Sequence, residues 1–197
     1  NMDVLREKNI DFLQPFLPLD DKKRMVERLF EELGAHEGLS KGEIREAALA
    51  AYAELENYKQ DVRDCGVGIL REIERTKQPA ILLVGRPYHI DPEIHHGISD
   101  MIASYGLAIL SEDAVYHLPV RGAGLNIVNQ WSYHARLYHA AHFVAEHENL
   151  TLIQLSSFGC GLDALTTAEV REILESHERI YTMIKLDEVS NLGAARI

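Results

Sequence analysis

Cysteine is scarce in this chain, and long apolar runs are absent. Its 197 residues include two cysteines in separate sequence contexts, which provide no disulfide framework and are typical of a reducing compartment. The longest apolar runs, such as residues 80–84, are far shorter than the roughly 20 residues of a membrane-spanning helix. No signal peptide is recognisable in the first residues. We therefore expect a cytoplasmic protein that is not inserted in a membrane.

Basic residues are also few. Acidic side chains outnumber them by 31 to 20, which gives a net charge of -11 at pH 7. Such a protein repels phosphate backbones and anionic membrane surfaces, and no local cluster of Lys and Arg in the sequence offsets that repulsion. We therefore expect no nucleic-acid partner. Since 46% of the residues are hydrophobic, the chain is able to bury an ordinary core.

Residues 1–77 have the pattern of an N-terminal helical arm. Ser40 and Glu43 form a capping box, which predicts the start of one long helix that continues to about Lys77. Within this helix, apolar residues from position 44 to position 73 recur at alternating steps of four and three, so one continuous apolar seam is predicted. Cys65 falls on that seam, and we expect it to be a small buried packing residue.

Residues 78–197 alternate between short apolar strands and helices, and we expect them to form one α/β domain. The predicted strands are residues 80–84, 107–110, 150–155 and 180–186. The predicted helices are residues 92–105, 129–147 and 166–177, the last opened by a capping box of Thr166 and Glu169. Strands that are apolar on both faces and joined by helices pair in parallel. The expected fold class is therefore α/β, with a small doubly wound, Rossmann-like parallel four-stranded sheet.

Two of the loops that follow the predicted strands carry residues typical of ligand sites. Cys160 stands between two glycines where a strand gives way to a helix, and open α/β sheets bind ligands at such positions. Arg86 and His89 follow the first strand, and their side chains can hold a phosphate or a carboxylate. Neither glycine-rich nucleotide motif, G-x-G-x-x-G or G-x-x-x-x-G-K-S/T, is present. The sequence therefore predicts a site at this edge of the sheet without a nucleotide motif.

Cys160 also qualifies as a candidate nucleophile. A helix that begins soon after a cysteine lowers the pKa of the thiol, and a histidine from another loop can act as its base. The G-x-S-x-G elbow does not fit, because Phe158 and Leu162 stand where that motif needs glycine. The chain contains ten histidines, but no H-E-x-x-H motif occurs, so we expect no catalytic zinc.

Four segments together resemble the C-terminal region of large bacterial proteins related to the 2-hydroxyacyl-CoA dehydratase activator, the CoA-substrate-specific enzyme activases. The segments are GRPYHIDPE at 85–93, NQWSYH at 129–134, SFGCGLD at 157–163 and KLDEVSNLGAAR at 185–196. The resemblance extends from about Phe12 to the end of the chain. Those proteins join activator-type ATPase modules to a region similar to the iron-sulfur subunits of 2-hydroxyacyl-CoA dehydratases. The resemblance implies ATP-driven electron transfer to a low-potential cluster.

By the same resemblance, Cys160 corresponds to a cysteine ligand of a 4Fe-4S type cluster, with Ser156, Ser157 and the backbone N–H of Gly161 tuning its sulfur. Such a cluster needs several thiolates, and this chain offers one plausible donor. The remaining ligands and the ATPase modules are therefore expected in other domains of a longer parent protein. For the isolated chain we expect no bound cluster.

Two alternatives stay open from the residues alone. One is a binding module for an acyl-CoA or another anionic metabolite, which uses Arg86 and His89. The other is a thiol enzyme with Cys160 as its nucleophile. A homodimer also stays open as the assembly of the chain.

Overall fold

The computed structural model describes residues 2–34, 37–122, 125, 127–157 and 161–186. The chain divides into two compact units, residues 1–59 and 60–197. The helices of the first unit are α1 at Met2–Glu7, α2 at Lys22–Leu29 with a π-helical turn at Phe30–Gly34, and the first part of α3 at Lys41–Thr76. No helix in the described part of the chain is both long enough and apolar enough to cross a bilayer.

Helix α3 confirms the prediction of one long helix between Ser40 and about Lys77. Its predicted capping box is also confirmed. The Ser40 backbone N–H donates to Glu43 Oε2 at 2.8 Å, and the Glu43 N–H donates to Ser40 Oγ at 3.2 Å. The helix therefore begins where two otherwise unpaired N–H groups find acceptors.

Helices α2 and α3 form an antiparallel hairpin in the first unit. Val26 of α2 packs with Ile44 and Ala48 of α3 in a small apolar cluster. The ammonium of Lys22, at the start of α2, lies over the ring of Tyr52, which comes after Ala48 along α3. The start of α2 therefore lies beside a later part of α3, as expected for antiparallel helices.

The prediction of a continuous buried seam along α3 is wrong at Cys65, which is exposed. Leu55 and Tyr58, also on the predicted seam, are 46% and 53% exposed. The buried face at this level carries Gly66 instead, and a Cβ added there would come within 2.7 Å of the Ala114 Cβ. Successive helical residues are rotated by about 100°. Cys65 therefore points away from the contact that its glycine neighbour makes.

The second unit is built on a parallel sheet. Its strands are β1 at Ala80–Val84, β2 at Ala108–Ser111, β3 at Leu150–Ser156 and β4 at Thr182–Lys185, in the order β2-β1-β3-β4. Leu82 of β1 lies opposite Leu110 on one side and Leu152 on the other. Each pairing is parallel, and each strand lies within two residues of its predicted bounds. The predicted α/β, Rossmann-like fold class is confirmed.

Helices cover both faces of this sheet. They are α4 at Ile98–Ser104, α5 at Glu112–Val115, α6 at Ser132–Ala145 and α7 at Gly161–Ser176, together with a 3-10 turn at Pro87–Ile90. Alternate residues of β1 enter different apolar clusters, because side chains alternate across a strand. Leu82 packs with α6 and α7, while Ile81 packs with Ile98 and Ile102 of α4. The sheet is therefore doubly wound.

The predicted start of the last helix is wrong. Helix α7 begins at Gly161, so the supposed capping box lies inside it. The hydroxyl of Thr166 donates to the carbonyl of Leu162 at 2.9 Å, and Glu169 is buried. Threonine can satisfy its hydroxyl within a helix in this way, so the motif is not specific for a helix start. In the sequence, Cys160 therefore immediately precedes the first residue of α7.

Candidate functional site at the switch point of the sheet

The candidate site lies where the chain connections of the sheet diverge. From β1 the chain continues to β2 on one side, whereas β3 lies on the other side of β1. The loops after β1 and β3 therefore leave in different directions, which opens a crevice at their carboxyl ends. The first loop contains Arg86 and His89, and the second contains Ser157 and leads into α7.

His89 fixes the first of two connections between these loops. Its ring is 2% exposed, and Nδ1 accepts the backbone N–H of Arg86 at 3.0 Å. The proton of the neutral ring is therefore on Nε2, which lies 3.0 Å from Ser157 Oγ and donates to it. The Tyr88 hydroxyl lies 3.2 Å from the same Ser157 Oγ. Ser157 is thus held by two side chains of the first loop.

The surroundings of His89 keep this ring neutral and close to the backbone. Burial lowers the pKa of His89, an effect that the Arg86 charge strengthens and the Asp163 charge opposes. A Cβ at Gly85 would lie 2.5 Å from His89 Nδ1 and 3.1 Å from the carbonyl oxygen of Leu155. Only glycine therefore leaves the ring room to accept the N–H of Arg86.

Arg86 makes the second connection. Its Nη2 and Nε lie 2.7 and 3.2 Å from Oδ1 of Asp163, in the first turn of α7. The Asp163 side chain is 15% exposed and the Arg86 side chain 36%. His134 of α6 brings Nε2 to 3.8 Å from the same carboxylate oxygen. A carboxylate here also faces the positive end of the α7 dipole.

The two connections end at residues that flank the segment 158–160 in the sequence. Ser157 precedes Cys160 by three residues and Asp163 follows it by three. Cys160 itself lies outside the described residues. Of the predicted site residues, the structure brings Arg86, His89 and Ser157 together.

The structure also describes Ser156 and Gly161, two further predicted site residues. Ser156 ends β3, and its carbonyl accepts the N–H of Leu186 at 2.7 Å. Gly161 opens α7 and is exposed, and a Cβ added there would meet no described atom within 4 Å. Packing with the described residues therefore does not require glycine at position 161.

A model of the CoA enzyme activase uncharacterised domain (DUF2229) matches residues 1–115. The chain belongs to this family. The match confirms the predicted relation to CoA-substrate-specific enzyme activases and includes the loop of Arg86 and His89. No curated protein and no solved structure matches the chain.

The residues of this chain do not by themselves fit a complete iron-sulfur cluster. Clusters of the 4Fe-4S type are held by about four thiolates, and the chain has two cysteines, of which Cys65 is exposed on α3. Among the described residues, no group of three or more His, Cys, Asp and Glu side chains is placed to hold a metal ion. A cluster held by four thiolates therefore needs cysteines from outside the chain.

A second buried carboxylate lies at the same edge of the sheet. Glu112, directly after β2, is 3% exposed, and its Oε2 has no hydrogen-bond partner among the described residues. Burial raises the pKa of Glu112 to about 7. The neighbouring Asp113 adds to this shift, while Arg136, which pairs with Asp113 at 2.7 Å, opposes it. Glu112 is therefore a proton-binding group near neutral pH.

Sequence reasoning missed three members of the site. Tyr88 and Asp163 lie inside the segments that carry the family resemblance. The sequence does not indicate which residues they contact. His134 lies in another of these segments, on a helix whose other histidines gave no metal pattern. The contacts join residues far apart in the sequence, such as Arg86 and Asp163, and no local pattern indicates them.

Proposed function

We propose that this chain is a cluster-supporting domain of a longer CoA enzyme activase protein. In this proposal Cys160 provides one thiolate to an iron-sulfur cluster that takes part in ATP-driven, low-potential electron transfer. The supporting observation is the double connection from the β1 loop to Ser157 and Asp163, which holds the chain on both sides of Cys160.

The chemistry of a metal ligand explains why such support is useful. A ligand thiolate has to be deprotonated and kept in one orientation, and surrounding hydrogen bonds supply that orientation. Cys160 directly precedes α7, a helix of 16 residues, whose positive end favours an anionic sulfur. In this proposal, the loop from Arg86 to His89 fixes the position of the segment that contains Cys160.

The remaining parts of the system lie, in this proposal, in other domains of the longer protein. They include the other cluster ligands, since two cysteines are too few, and the activator ATPase modules. The chain described here is the part that positions one ligand.

Anion binding by Arg86 and His89 receives less support from the same geometry. The charge of Arg86 is balanced by Asp163 at 2.7 Å, and burial favours the neutral form of His89. An incoming phosphate would therefore meet a paired arginine, a neutral ring and a carboxylate. Such a site has no net positive charge to offer.

A thiol enzyme is the second candidate, because His134 has the features of a base. Its Nε2 faces Asp163, and its buried Nδ1 has no hydrogen-bond partner among the described residues. His89 is less suited to this role, since both of its ring nitrogens are already engaged. A histidine oriented by a carboxylate is the arrangement that activates a cysteine.

Anaerobic reconstitution of the longer protein with iron and sulfide tests the first proposal. We expect Cys160→Ala to lose iron and visible absorption while the fold is kept. Cys65→Ala is the matched control, because it removes the other thiol from an exposed helical position and leaves iron content unchanged. Equal iron content in the wild type and in Cys160→Ala would contradict the ligand role. A transfer or hydrolytic activity of the chain that needs both Cys160 and His134 would favour the thiol enzyme.

A further inference from the structure

The hairpin of α2 and α3 gathers basic side chains around a cleft of about 510 Å³. Lys22 and Lys23 come from α2, and Lys41 and Arg45 come from α3. Among the described residues that line this cleft, Glu27 is the only acidic one. Four cationic side chains around one cleft are unusual for a chain whose net charge is -11.

The charges in this hairpin cleft are largely unpaired. Lys23 and Arg45 form no ion pair with any described residue, in contrast to Arg86 in the second unit. Lys41 Nζ lies 4.0 Å from Glu27 Oε1, and both side chains are about half exposed. Exposed ion pairs at such a distance contribute little to stability. An incoming anion can therefore replace Glu27 beside Lys41 at a small cost in free energy.

Lys22 is held in place by an aromatic ring. Its ammonium lies 5.0 Å from the centroid of Tyr52, whose hydroxyl donates to the carbonyl of Leu19 at 2.8 Å. A cation over an aromatic face is positioned without losing its charge. The lysine therefore remains available as a donor to an anion at the cleft.

The lining also has an apolar part. Val26 is 6% exposed and belongs to the small core of the hairpin, while Leu49 is 45% exposed. The aliphatic stems of the lysines add further apolar surface. A ligand that fills the cleft therefore gains from carrying an apolar or aromatic group next to its charges.

We propose that the hairpin cleft binds a small phosphorylated molecule that carries at least two negative charges and an apolar or aromatic group, of the nucleoside diphosphate class. Its volume is in the range of small-molecule sites, and lysine and arginine are the usual phosphate donors of proteins. The site lies wholly within the first unit and does not depend on the proposed role of Cys160.

Isothermal titration of the intact chain with ADP, at low and at high salt, tests this site. We expect saturable binding that weakens as salt rises, because the contacts are charged. Lys23→Ala and Arg45→Ala should each weaken binding about tenfold, the loss of one charge-assisted contact. Arg24→Ala is the matched control, since it removes an exposed positive charge from the same helix outside the cleft lining. It should leave the affinity unchanged.

Two further probes decide the ligand class. Pyrophosphate should bind more weakly than ADP, because it lacks the group that contacts Val26 and Leu49. Absence of ADP binding, or equal weakening by Arg24→Ala and Arg45→Ala, would overturn the site. Pyrophosphate binding as tight as ADP would overturn the apolar contact, and tighter binding of a short single-stranded DNA would overturn the small-molecule class. All three substituted side chains are on the surface, and matching thermal melts will show that the fold is intact.

Discussion

The carboxyl edge of the sheet and the hairpin cleft use basic residues in different ways. At the edge, Arg86 pairs with an Asp163 that is 15% exposed, and the pair joins two loops. In the hairpin, Arg45 lines a cleft and has no acidic partner among the described residues. The comparison teaches that an arginine near a predicted ligand site indicates an anion site only if its charge is not already balanced.

One glycine in each region differs in how closely its backbone is packed. Gly85 at the edge has no room for a Cβ, which would lie 2.5 Å from His89 Nδ1. Gly42 in the first turn of α3 has room, since a Cβ there would meet its nearest neighbour, Ser40 Oγ, at 3.7 Å. The backbone of the edge is therefore close-packed at Gly85, while the first turn of α3 is open at Gly42.

The largest difference between the regions should come from removing the two arginines. Arg86→Ala should lower the free energy of unfolding by about 3 kcal/mol, because it removes the guanidinium that balances the charge of the Asp163 carboxylate, whose side chain is 15% exposed. Arg45→Ala should change it by less than about 0.5 kcal/mol. Urea denaturation measures both values. Partial recovery in the double variant Arg86→Ala/Asp163→Asn would show that the unbalanced charge of Asp163 causes the loss. Equal effects of Arg86→Ala and Arg45→Ala would contradict the comparison.

Glu112 is the exception at the edge, because it is a buried carboxylate with an unpaired oxygen. Its pKa in the folded protein is about 7 and lies above its ordinary value, so its contribution to stability is present at low pH and is lost as pH rises through 7. Glu112→Gln cannot ionise and should be more stable than the wild type at pH 8, by about 2 kcal/mol. The advantage should shrink at pH 4.5. Urea denaturation at both pH values measures it, and a pH-independent difference would contradict the assignment.

Matched glycine substitutions test the difference in packing. Gly85→Ala should lower the free energy of unfolding by about 1.5 kcal/mol, because the new methyl group meets the His89 ring and a backbone carbonyl. Gly42→Ala should instead be neutral or stabilise by up to about 1 kcal/mol, since alanine is the better helix former. Chemical denaturation measures the change in the free energy of unfolding for both variants. A neutral Gly85→Ala would show that the His89 ring is not held as closely as the structure indicates.

The smallest expected effect concerns acid. The pKa of His89 is lowered in the folded protein, so its contribution to stability is present above about pH 6.5 and is lost as pH falls below that value. Acidification from pH 7.5 to 5.5 should therefore destabilise the wild type more than His89→Gln, which cannot be protonated and can still bond Ser157. Other titrating groups occur in both proteins and cancel. A larger loss in His89→Gln would reverse the assignment.

Local patterns predicted much of this fold. The four strands are within two residues of their expected bounds because runs of buried apolar residues between helices are a local signal. The Ser40 and Glu43 box is predictable from the sequence because its two hydrogen bonds join residues three apart. The box at Thr166 was wrong, because the same residue types also satisfy themselves inside a helix.

Non-local features were not predictable in this way. The periodicity placed Cys65 on a buried seam, but the partner of α3 at that level is Ala114, which meets Gly66 instead. The basic side chains of the hairpin cleft come together only when α2 and α3 pack against each other. The sequence therefore contains no local signal of this cluster. Each case depends on a contact between distant parts of the chain.

The sequence by itself determined the elements, the parallel sheet and the edge at which Arg86, His89 and Ser157 lie, because strand and helix patterns and the rules of parallel connection act along the chain. Only the tertiary structure decided which charges are neutralised. Asp163 reaches Arg86 across the switch point, whereas no acidic side chain of the described residues reaches Arg45. Pairing depends on distances of a few ångström between residues that folding brings together, and a sequence pattern does not contain those distances.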